Sequence, residues 1–525
     1  MSQAKTTESH SSLRARRWWA LAATATTVLV IGLDTTILNV ALPDIGVSLH
    51  ASNAQLQWFA DSYLLALGAL LLPAGLLGDR YGRKRSTVVG LVVFFLGSLW
   101  CAVASSADSL ITARTLLGVG AAVLIPLAMS SVVVLFDAAE RTRAIAVLGI
   151  STMVGLPLGP IVAGLLLQHF SWGSVFVVNL PVIALALVAV LLFLPETTGA
   201  RGRPLDVVGI LLTSLGMSAV TYGVIEGPER GWTDPLVAGA LAGGVVLVAA
   251  FVWWQRRDRG LEPVVDPVLW REPAFRWGAV TAAVASLAFF GAMFVVPQYL
   301  RGVLGEDALG TGLRLVPMVV GLFVGLRATM MLLSRFGARV LGVCGFHVGA
   351  LGFLLGTRIE VDSGYALTAV WTIFVGAGVG GALFCGQNGA LAALPRERAA
   401  AGSALIQVLR QVGSVAGIAV LGALLNAAYR SALPDGLPAE LSDALARNVA
   451  TGMAVADESG STSLEYAVRS AFVSGLTATM WVSAAICVVG AGMVWRLLPD
   501  GRAVAAHDGG PVSAESAYAD EPGTR

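Results

Sequence analysis

The stretch GLLGDRYGRKRS, residues 75–86, concentrates charge in a chain that has little charge elsewhere. Charged residues make up only 13% of the whole sequence, and long apolar runs lie on both sides of this stretch. Its five charged residues are Asp79, Arg80, Arg83, Lys84 and Arg85. A short, mostly basic turn between two apolar runs is typical of a loop at the face of a membrane.

The composition of the whole chain agrees with that interpretation. Of its 525 residues 56% are hydrophobic, and the mean hydropathy is +0.77. A soluble protein of this length needs more polar surface, so the composition indicates a membrane protein. The net charge of +1 argues against a nucleic-acid partner. The four cysteines, Cys101, Cys344, Cys385 and Cys487, lie in apolar runs with neither disulfide nor metal spacing, so we expect small core residues.

Apolar runs of the length that crosses a bilayer, about 20 residues, recur along the chain. We predict fourteen spans, near 18–42, 57–77, 86–106, 109–135, 143–168, 174–194, 205–226, 235–255, 274–300, 311–334, 338–358, 364–391, 403–427 and 470–496. The first run is too long for the apolar core of a signal peptide and lacks a small-residue cleavage site, so we expect it to be retained.

Basic residues are unevenly distributed between alternate connections. With the N-terminus placed in the cytoplasm, the inner segments hold roughly 24 Lys and Arg and the outer segments roughly 6. This bias predicts a multi-pass protein of the bacterial cytoplasmic membrane with both termini in the cytoplasm. An odd number of spans would break the alternation.

An internal repeat divides the chain. VGLPLGPIVAGLLL, which begins at Val154, aligns without gaps with VGSVAGIAVLGALL, which begins at Val412. The matching glycines are Gly155, Gly159 and Gly164 with Gly413, Gly417 and Gly422, an offset of 258 (413 − 155). Two further matches, DRYGRK with SRFGAR and Glu140-Arg141 with Glu397-Arg398, have offsets of 255 and 257. The repeat predicts a duplicated six-span unit; the alternative is coincidence among glycine-rich helices.

We therefore predict an all-α polytopic membrane protein with two six-helix bundles plus two inserted helices. The predicted segments are a cytoplasmic tail over 1–17, a first bundle over 18–200, two inserted spans over 201–260, a second bundle over 261–500 with an outer loop over 430–469, and a cytoplasmic tail over 501–525. Repeated bundles with a site at their interface are typical of secondary transporters that work by alternating access.

From residue 18 to about 500, the chain resembles the 14-span drug–proton antiporter branch of the major facilitator superfamily. The opening stretch matches the signature G-x-L-x-D-R-x-G-R-K through Gly75, Leu77, Asp79, Arg80, Gly82, Arg83 and Lys84. Span one carries LDTTILNVALP, with Asp34, Asn39 and Pro43. Span five matches the antiporter motif G-x-x-x-G-P-x-x-G-G through Gly155, Gly159, Pro160 and Gly164, with Ala163 as a departure. Span four matches R-x-x-Q-G-x-G-A at Arg114, Gly118 and Gly120, but Leu117 replaces the glutamine.

The resemblance implies the major facilitator fold and the export of drugs or antibiotics in exchange for protons. It implies a conformational latch formed by Gly75, Asp79, Arg80, Gly82 and Arg83, in which Asp79 pairs with arginines and a helix terminus of neighbouring spans. It also implies that the antiporter motif seals the pathway against proton leak. The alternatives are a basic loop that only holds topology and a helix that is merely kinked by proline. The branch implies a monomer.

Ionisable residues inside the predicted spans are functional candidates, because a charge at the bilayer centre costs at least about 2.5–3.5 kcal/mol. Asp34, Asp61 and Arg114 share the outer half of the first repeat. We expect them to serve proton coupling or substrate binding, with Arg114 neutralising either carboxylate. For Asp34 the alternative is a static ion pair; for Asp61 and Arg114 it is a side chain that reaches water. Weaker candidates are Arg327, Arg410, His347, Gln387 and Asn388.

The predicted function is a proton-coupled efflux antiporter whose partners are protons, a drug or antibiotic, and the bilayer. One alternative is a secondary transporter of a native metabolite. Another is a membrane sensor or enzyme, which needs a catalytic constellation or a soluble domain. The sequence contains no metal-ligand spacing, phosphate loop or nucleophile–base arrangement, so we expect no enzyme activity, no metal and no cofactor.

Overall fold

The structure is a computed structural model, and it describes residues 2–136, 138–197, 206–257, 261, 267–394, 399–434 and 438–499. Every regular element in these ranges is a helix, which confirms the predicted all-α class. The helices are α1 Ser2–Ser48, α2 Asn53–Tyr81, α3 Arg83–Ala102, α4 Ala107–Leu135, α5 Ala138–Leu167, α6 Ser174–Val177, α7 Asn179–Phe193, α8 Val207–Arg230, α9 Pro235–Gln255, α10 Pro267–Arg271, α11 Pro273–Gly302, α12 Ala308–Gly356, α13 Tyr365–Ala392, α14 Ala399–Ser431, α15 Ala439–Arg447, α16 Val449–Ser459 and α17 Thr462–Leu497.

Among the described residues, 11 helices are long and apolar enough to cross a membrane, so the chain is a multi-pass membrane protein. Each of them overlaps one or two of the predicted runs. Helices α2 and α5 coincide with the runs 57–77 and 143–168 but are not among the 11. Helix α12 covers two runs, 311–334 and 338–358, and its backbone is non-helical at Gly337, where φ is 80°. The count of fourteen spans stays a prediction.

The structure adds helix in two polar regions. Helix α1 begins at Ser2 and so includes the predicted tail over 1–17. The predicted outer loop over 430–469 contains α15 and α16. Between them Asn448 caps α16, because its Oδ1 accepts a hydrogen bond of 2.8 Å from the N–H of Thr451. The predicted tail over 501–525 lies outside the described residues.

The two sets of helices on either side of α8 and α9 pack in the same way. For brevity α1–α7 are called the first half and α11–α17 the second half. In the first half, Gly159 of α5 lies so close to the backbone of Leu33 in α1 that no Cβ fits between them. In the second half, Gly417 of α14 lies even closer to the backbone of Leu287 in α11. Small residues allow this close approach of membrane helices.

A second pair of glycines repeats the correspondence. Gly118 of α4 contacts the carbonyl of Tyr63 in α2, and Gly376 of α13 contacts the carbonyl of Met318 in α12. The two glycines are separated by 258 positions (376 − 118), the same offset as the repeat in the sequence. The backbone contacts therefore support a duplicated unit, while the bundle boundaries at 18–200 and 261–500 stay predictions.

The α8–α9 hairpin lies over the line along which the two halves meet. Ile225 of α8 is buried against Ala54 of α2 in the first half and Ala419 of α14 in the second half. Trp58 of α2 donates a hydrogen bond of 3.3 Å to Glu226 of α8. Helix α8 of the hairpin therefore contacts both halves.

One carboxylate holds the other end of this hairpin. Asp206, which is buried just before α8, accepts a hydrogen bond of 2.8 Å from the N–H of Gly209. It also accepts hydrogen bonds from Trp254 Nε1 at 2.9 Å and from Gln255 Nε2 at 2.8 Å, both at the end of α9. Asp206 thus joins the start of α8 to the end of α9.

We expect Asp206→Ala to lower the free energy of unfolding in detergent by about 2–3 kcal/mol, because two side-chain donors of α9 lose their acceptor. The control is Asp234→Ala, which removes only the cap of α9 and costs about 1 kcal/mol. Amide hydrogen exchange at the end of α9 should increase in Asp206→Ala and not in the control. Equal losses of stability and unchanged exchange in both variants would contradict the conclusion that Asp206 joins α8 to α9.

Candidate functional site

Asp34 and Arg114 form an ion pair inside the first half. Arg114 Nη1 donates a hydrogen bond of 2.8 Å to Asp34 Oδ2, from α4 to α1. Asp34 is 0% exposed and Arg114 is 1% exposed. The sequence left open which carboxylate Arg114 neutralises, and the structure pairs it with Asp34.

A third side chain completes the coordination of Asp34. Asn179, at the start of α7, donates from Nδ2 to Asp34 Oδ1 at 3.0 Å and lies 3.3 Å from Ser98 Oγ of α3. The Ser98 hydroxyl in turn donates to the carbonyl of Phe176 at 2.9 Å. Neither Asn179 nor Ser98 was predicted as a site residue from the sequence, although each is a buried polar residue inside an apolar run.

The guanidinium of Arg114 makes further contacts with α2. Its Nε donates to the carbonyl of Phe59 at 2.9 Å, and its Cζ lies 4.4 Å from the centroid of the Tyr63 ring. A buried charge is stable only when it is paired and hydrogen-bonded, and Arg114 has a carboxylate, a carbonyl and an aromatic face as partners. Side chains or backbone of α1, α2, α3, α4 and α7 therefore converge on one polar cluster.

The antiporter motif on α5 lies between this cluster and the second half. Gly155 packs against α1 at Leu29 and Leu33, and Gly159 packs against Leu33 and Ile37, so the two glycines contact the backbone on both sides of Asp34. Gly164 packs against the first residues of α12, and the carbonyl of Pro160 contacts Gly312 of the same helix. A side chain at any of these glycines would push α1 or α12 away from α5, so the motif sets the position of Asp34 relative to the second half.

The second half has no equivalent of the ion pair at the corresponding positions. The glycine contacts relate α1 to α11 with an offset of 254 (287 − 33) and α4 to α13 with an offset of 258. By these offsets Asp34 corresponds to Ala288 and Arg114 corresponds to Thr372, and both of these residues are buried. The duplicated packing therefore carries a charged pair on one side only.

Asp61 does not join the cluster. It is 0% exposed on α2, and among the described residues neither carboxylate oxygen has a hydrogen-bond partner. Gln57, one helical turn earlier on the same face of α2, also lacks a partner within the described part of the chain and packs against Gly422 of α14. Asp61 thus belongs to the face of α2 that meets the second half, and the expectation that Arg114 neutralises either carboxylate is wrong for Asp61.

The stretch 75–86 forms the turn between α2 and α3. Gly82 has φ 110°, a backbone conformation that glycine adopts without strain. Arg83 donates from its backbone N–H to the carbonyl of Thr197 at 3.0 Å, and Lys84 Nζ donates to the carbonyl of Leu191 at 2.7 Å. These contacts lie on α7 and the segment after it, within the first half.

The other residues of the predicted latch are placed as follows. Gly75 packs against Pro126 of α4, and Arg80 is exposed. The side chain of Asp79 lies outside the described part of the structure, so the pairing expected for it stays a prediction.

The weaker candidates separate into two groups. Arg327 and His347 are exposed side chains on α12, and His347 Nδ1 lies 2.8 Å from its own helix at the carbonyl of Val343. Gln387 and Asn388 of α13 and Arg410 of α14 are half-buried.

Three of the four cysteines, Cys101, Cys385 and Cys487, are buried as expected. Cys344 is exposed, so the prediction of a core residue is wrong for Cys344. No group of three or more possible metal ligands occurs among the described residues.

Polar contacts join the two halves at the end of the bundle where α1 ends and α2 begins, which is called the Asp44 end. Arg301 of α11 forms an ion pair with Asp44 of α1. Asn53 of α2 donates to Asn426 of α14 at 2.9 Å. Asn448 Nδ2, between α15 and α16, donates to the carbonyl of Ala51 at 2.7 Å.

A fourth contact at the Asp44 end joins α5 to α12. Gln168 Nε2 donates to Asp307 Oδ2 at 3.2 Å. The N–H of Gly310 and the amide of Gln168 lower the pKa of Asp307 below its usual value, so this carboxylate is ionised at neutral pH. The sequence analysis identified none of these contacts, because each joins residues that are far apart in the chain. Together they close the Asp44 end.

We expect Asp34→Asn to lower the free energy of unfolding in detergent by about 3–5 kcal/mol, because Arg114 is left as an uncompensated buried charge. The matched control is Asp61→Asn, which removes a buried carboxylate to which no described residue donates a hydrogen bond, and it should leave stability unchanged or raise it. Thermal unfolding of both purified variants measures the difference. If Asp61→Asn were the more destabilising variant, the assignment of Arg114 to Asp34 would be contradicted.

Comparisons with known proteins agree with this architecture. Residues 24–418 match the Major Facilitator Superfamily. The chain is 32% identical over 509 residues to the tetracenomycin C resistance and export protein of Streptomyces glaucescens, covering 94% of each chain. It is 34% identical over 486 residues to the multidrug efflux pump LfrA of Mycolicibacterium smegmatis, covering 91% of this chain and 96% of that protein.

Solved structures share the fold at low sequence identity. A bacterial homologue of the human lysosomal transporter Spinster, in an inward-facing and unoccupied conformation, is similar with a TM-score of 0.66 at 18% identity, over 91% of this chain and 96% of that one. The xylose transporter XylE from E. coli is similar with a TM-score of 0.57 at 14% identity, over 93% and 99%. The family match covers most of the sequence and the shared fold extends over nearly all of it, so the chain belongs to the Major Facilitator Superfamily.

Proposed function

We propose that the protein exports amphipathic drugs or antibiotics across the bacterial cytoplasmic membrane in exchange for protons, as a member of the 14-span antiporter branch. The observation that carries the proposal is the Asp34–Arg114 ion pair, buried inside a fold of the transporter superfamily. The names of the relatives, which are export, resistance and efflux proteins, support a drug or antibiotic as the substrate.

The proton acts on Asp34. A proton that binds this carboxyl removes its negative charge and competes directly with Arg114, which donates to one of its oxygens. The released Arg114 then has to find another partner, so the helices α1 and α4 pack differently in the two protonation states. A change of packing that depends on protonation is what couples a proton to movement of the two halves.

The observed arrangement fits one step of the cycle. The Asp44 end is closed by contacts between the halves, while Asp34 is paired with Arg114. With the Asp44 end placed outside the cell, this is the state after the proton has been released to the cytoplasm. Export requires the same contacts to open, and Asp34 then takes up a proton from outside.

Asp61 is the second proton-binding group of the proposal. No described residue donates a hydrogen bond to this carboxylate, so it is too costly to keep charged between α2 and α14, and it holds a proton while these helices are in contact. Opening of the Asp44 end separates the helices and exposes Asp61 to water.

Two further parts of the first half complete the proposal. Gly75, Asp79, Arg80, Gly82 and Arg83 form the conformational latch at the end of the bundle opposite the Asp44 end. The antiporter motif on α5 seals the pathway against proton leak.

The driving force is sufficient for useful export. A membrane potential supplies about 2.3 kcal/mol per charge per 100 mV, and one pH unit adds about 1.4 kcal/mol. One proton therefore supports a gradient of roughly a few hundredfold for a neutral substrate.

The protein acts as a monomer and needs no cofactor. A transporter of a native metabolite is the nearest alternative, and a substrate panel separates the two functions.

We expect purified protein in vesicles with an imposed pH gradient to move at least one compound of a drug panel against its gradient, and to stop when the pH gradient is collapsed by an ionophore. Asp34→Asn should abolish the proton-driven component, because its side chain no longer exchanges a proton. The control Asp234→Asn changes a half-buried carboxylate that caps α9, far in the chain from the ion pair, and should transport normally. Full activity of Asp34→Asn, or movement of no compound, would overturn the proposal.

Alternating access generates a separate prediction at the Asp44 end. In a Cys344→Ser background, Asp44→Cys with Arg301→Cys places two thiols across the halves. A reducible bifunctional thiol reagent should arrest transport, and reduction should restore it, because the halves have to separate there.

The control pair for this experiment lies at the same end but inside one half. Ser48→Cys with Trp172→Cys joins residues that are hydrogen-bonded at 3.0 Å, and both belong to the first half. Cross-linking of this pair should leave transport intact. Undiminished transport with the Asp44–Arg301 pair fully cross-linked would mean that this end does not open.

A further inference from the structure

Arg410 is an intramembrane arginine in the second half that no part of the proposed proton pathway uses. It lies on α14, three and seven residues before Gly413 and Gly417, which pack against the backbone of α11. Residues with these spacings share one face of a helix. The Arg410 side chain therefore lies on the side of α14 that faces α11.

The partners of Arg410 are neutral. Its Nε lies 3.4 Å from Ser286 Oγ of α11, and its Nη1 donates to Gln407 Oε1 at 3.1 Å, one turn earlier on α14. No carboxylate among the described residues pairs with it. Arg114 differs, because its charge is balanced by Asp34.

Unused donors surround Arg410. Its Nη2, the hydroxyl hydrogen of Ser286 and the amide hydrogens of Gln407 have no acceptor within the described part of the chain. Arg410 and Gln407 are half-buried, so the cluster is open on one side, whereas Ser286 is buried. Three donor groups without an acceptor, on facing helices, are complementary to the oxygens of an anion.

Guanidinium remains protonated in proteins, so the positive charge of Arg410 is permanent. The cost of holding this charge between helices falls when a negative group binds it. The negative charge of Asp34 is already taken by Arg114 and Asn179. The observed charges therefore favour an anionic substrate group at α14 over a cationic one at α1.

We propose that Arg410, with Ser286 and Gln407, forms a substrate subsite for the carboxylate or ionised phenol of an amphipathic organic compound. The inference rests on the proposed export function and narrows its substrate class to organic anions. The planar guanidinium suits a planar carboxylate, because its donors match both oxygens. The apolar helices α11 and α14 on either side suit the aromatic body of such a compound.

The test compares two dyes that share a xanthene ring system and differ in charge, carboxyfluorescein and tetramethylrhodamine methyl ester. Fluorescence anisotropy measures the Kd of each for the purified full chain in detergent, at a pH at which the first dye is ionised and without any proton gradient. The native protein should bind the anionic dye more tightly. Arg410→Gln should raise its Kd by about 10- to 100-fold, the range expected for loss of a charge-assisted hydrogen bond.

The controls separate a binding role from a structural one. Arg410→Lys keeps the charge but not the planar pair of donors, so its Kd for the anionic dye should lie between those of the native chain and Arg410→Gln. Ser286→Ala should raise this Kd several-fold less than Arg410→Gln. Arg327→Gln removes an exposed arginine of α12 and should leave both Kd values unchanged. Tetramethylrhodamine binding should not weaken in Arg410→Gln.

Three results would overturn the subsite: no binding of carboxyfluorescein to the native chain, an unchanged Kd in Arg410→Gln, or equal weakening of both dyes. These failures leave the export proposal standing, since transport of other compounds is measured separately. Conversely, the native protein could bind the dye in an Arg410-dependent way and yet transport no compound in a pH gradient. That result would contradict the export proposal and leave the subsite standing.

Discussion

The ion pair between Asp34 and Arg114 is the interaction on which the proposed mechanism depends. Two full charges are removed from water, so each needs a partner, and the structure supplies Asn179 for the carboxylate and a backbone carbonyl for the guanidinium. Such a pair is a weak source of stability but a sensitive one, because removal of either charge leaves the other buried and uncompensated. A proton on Asp34 has the same effect reversibly, and this makes the pair suitable for coupling.

The rest of the first half holds this pair in place. Gly155 and Gly159 let α5 approach the turn of α1 that carries Asp34, and Gly164 brings the same helix against α12 of the second half. A shift of α1 is therefore transmitted through α5 to the interface between the halves. The second half repeats the glycine packing but has Ala288 and Thr372 where the first half has its charges. Duplication thus explains the glycine packing that the two halves share, and the buried ion pair is a difference between them at corresponding positions.

Most of the helices, the repeat and the place of Asp34 and Arg114 inside the helix bundle were predictable from the sequence, because apolar length, glycine spacing and the rarity of intramembrane charge are local signals. Which groups meet was not predictable. Arg114 had two candidate carboxylates at similar depth, and only the helix packing separates Asp34 from Asp61. Asn179 was missed because an isolated polar residue in an apolar run has no pattern, and the contacts at the Asp44 end were missed because each joins residues that are far apart in the chain. The helices α15 and α16 were missed because their polar composition resembles that of a loop.

The most direct test of the central claim is the infrared difference spectrum of the purified protein between high and low pH. If a proton displaces Arg114 from Asp34, acidification produces a carbonyl band of a protonated carboxyl group in an apolar environment, and that band is lost in Asp34→Asn but persists in Asp234→Asn. A carboxyl band that is identical in the native protein and Asp34→Asn would contradict the account, because Asp34 would then keep its charge throughout.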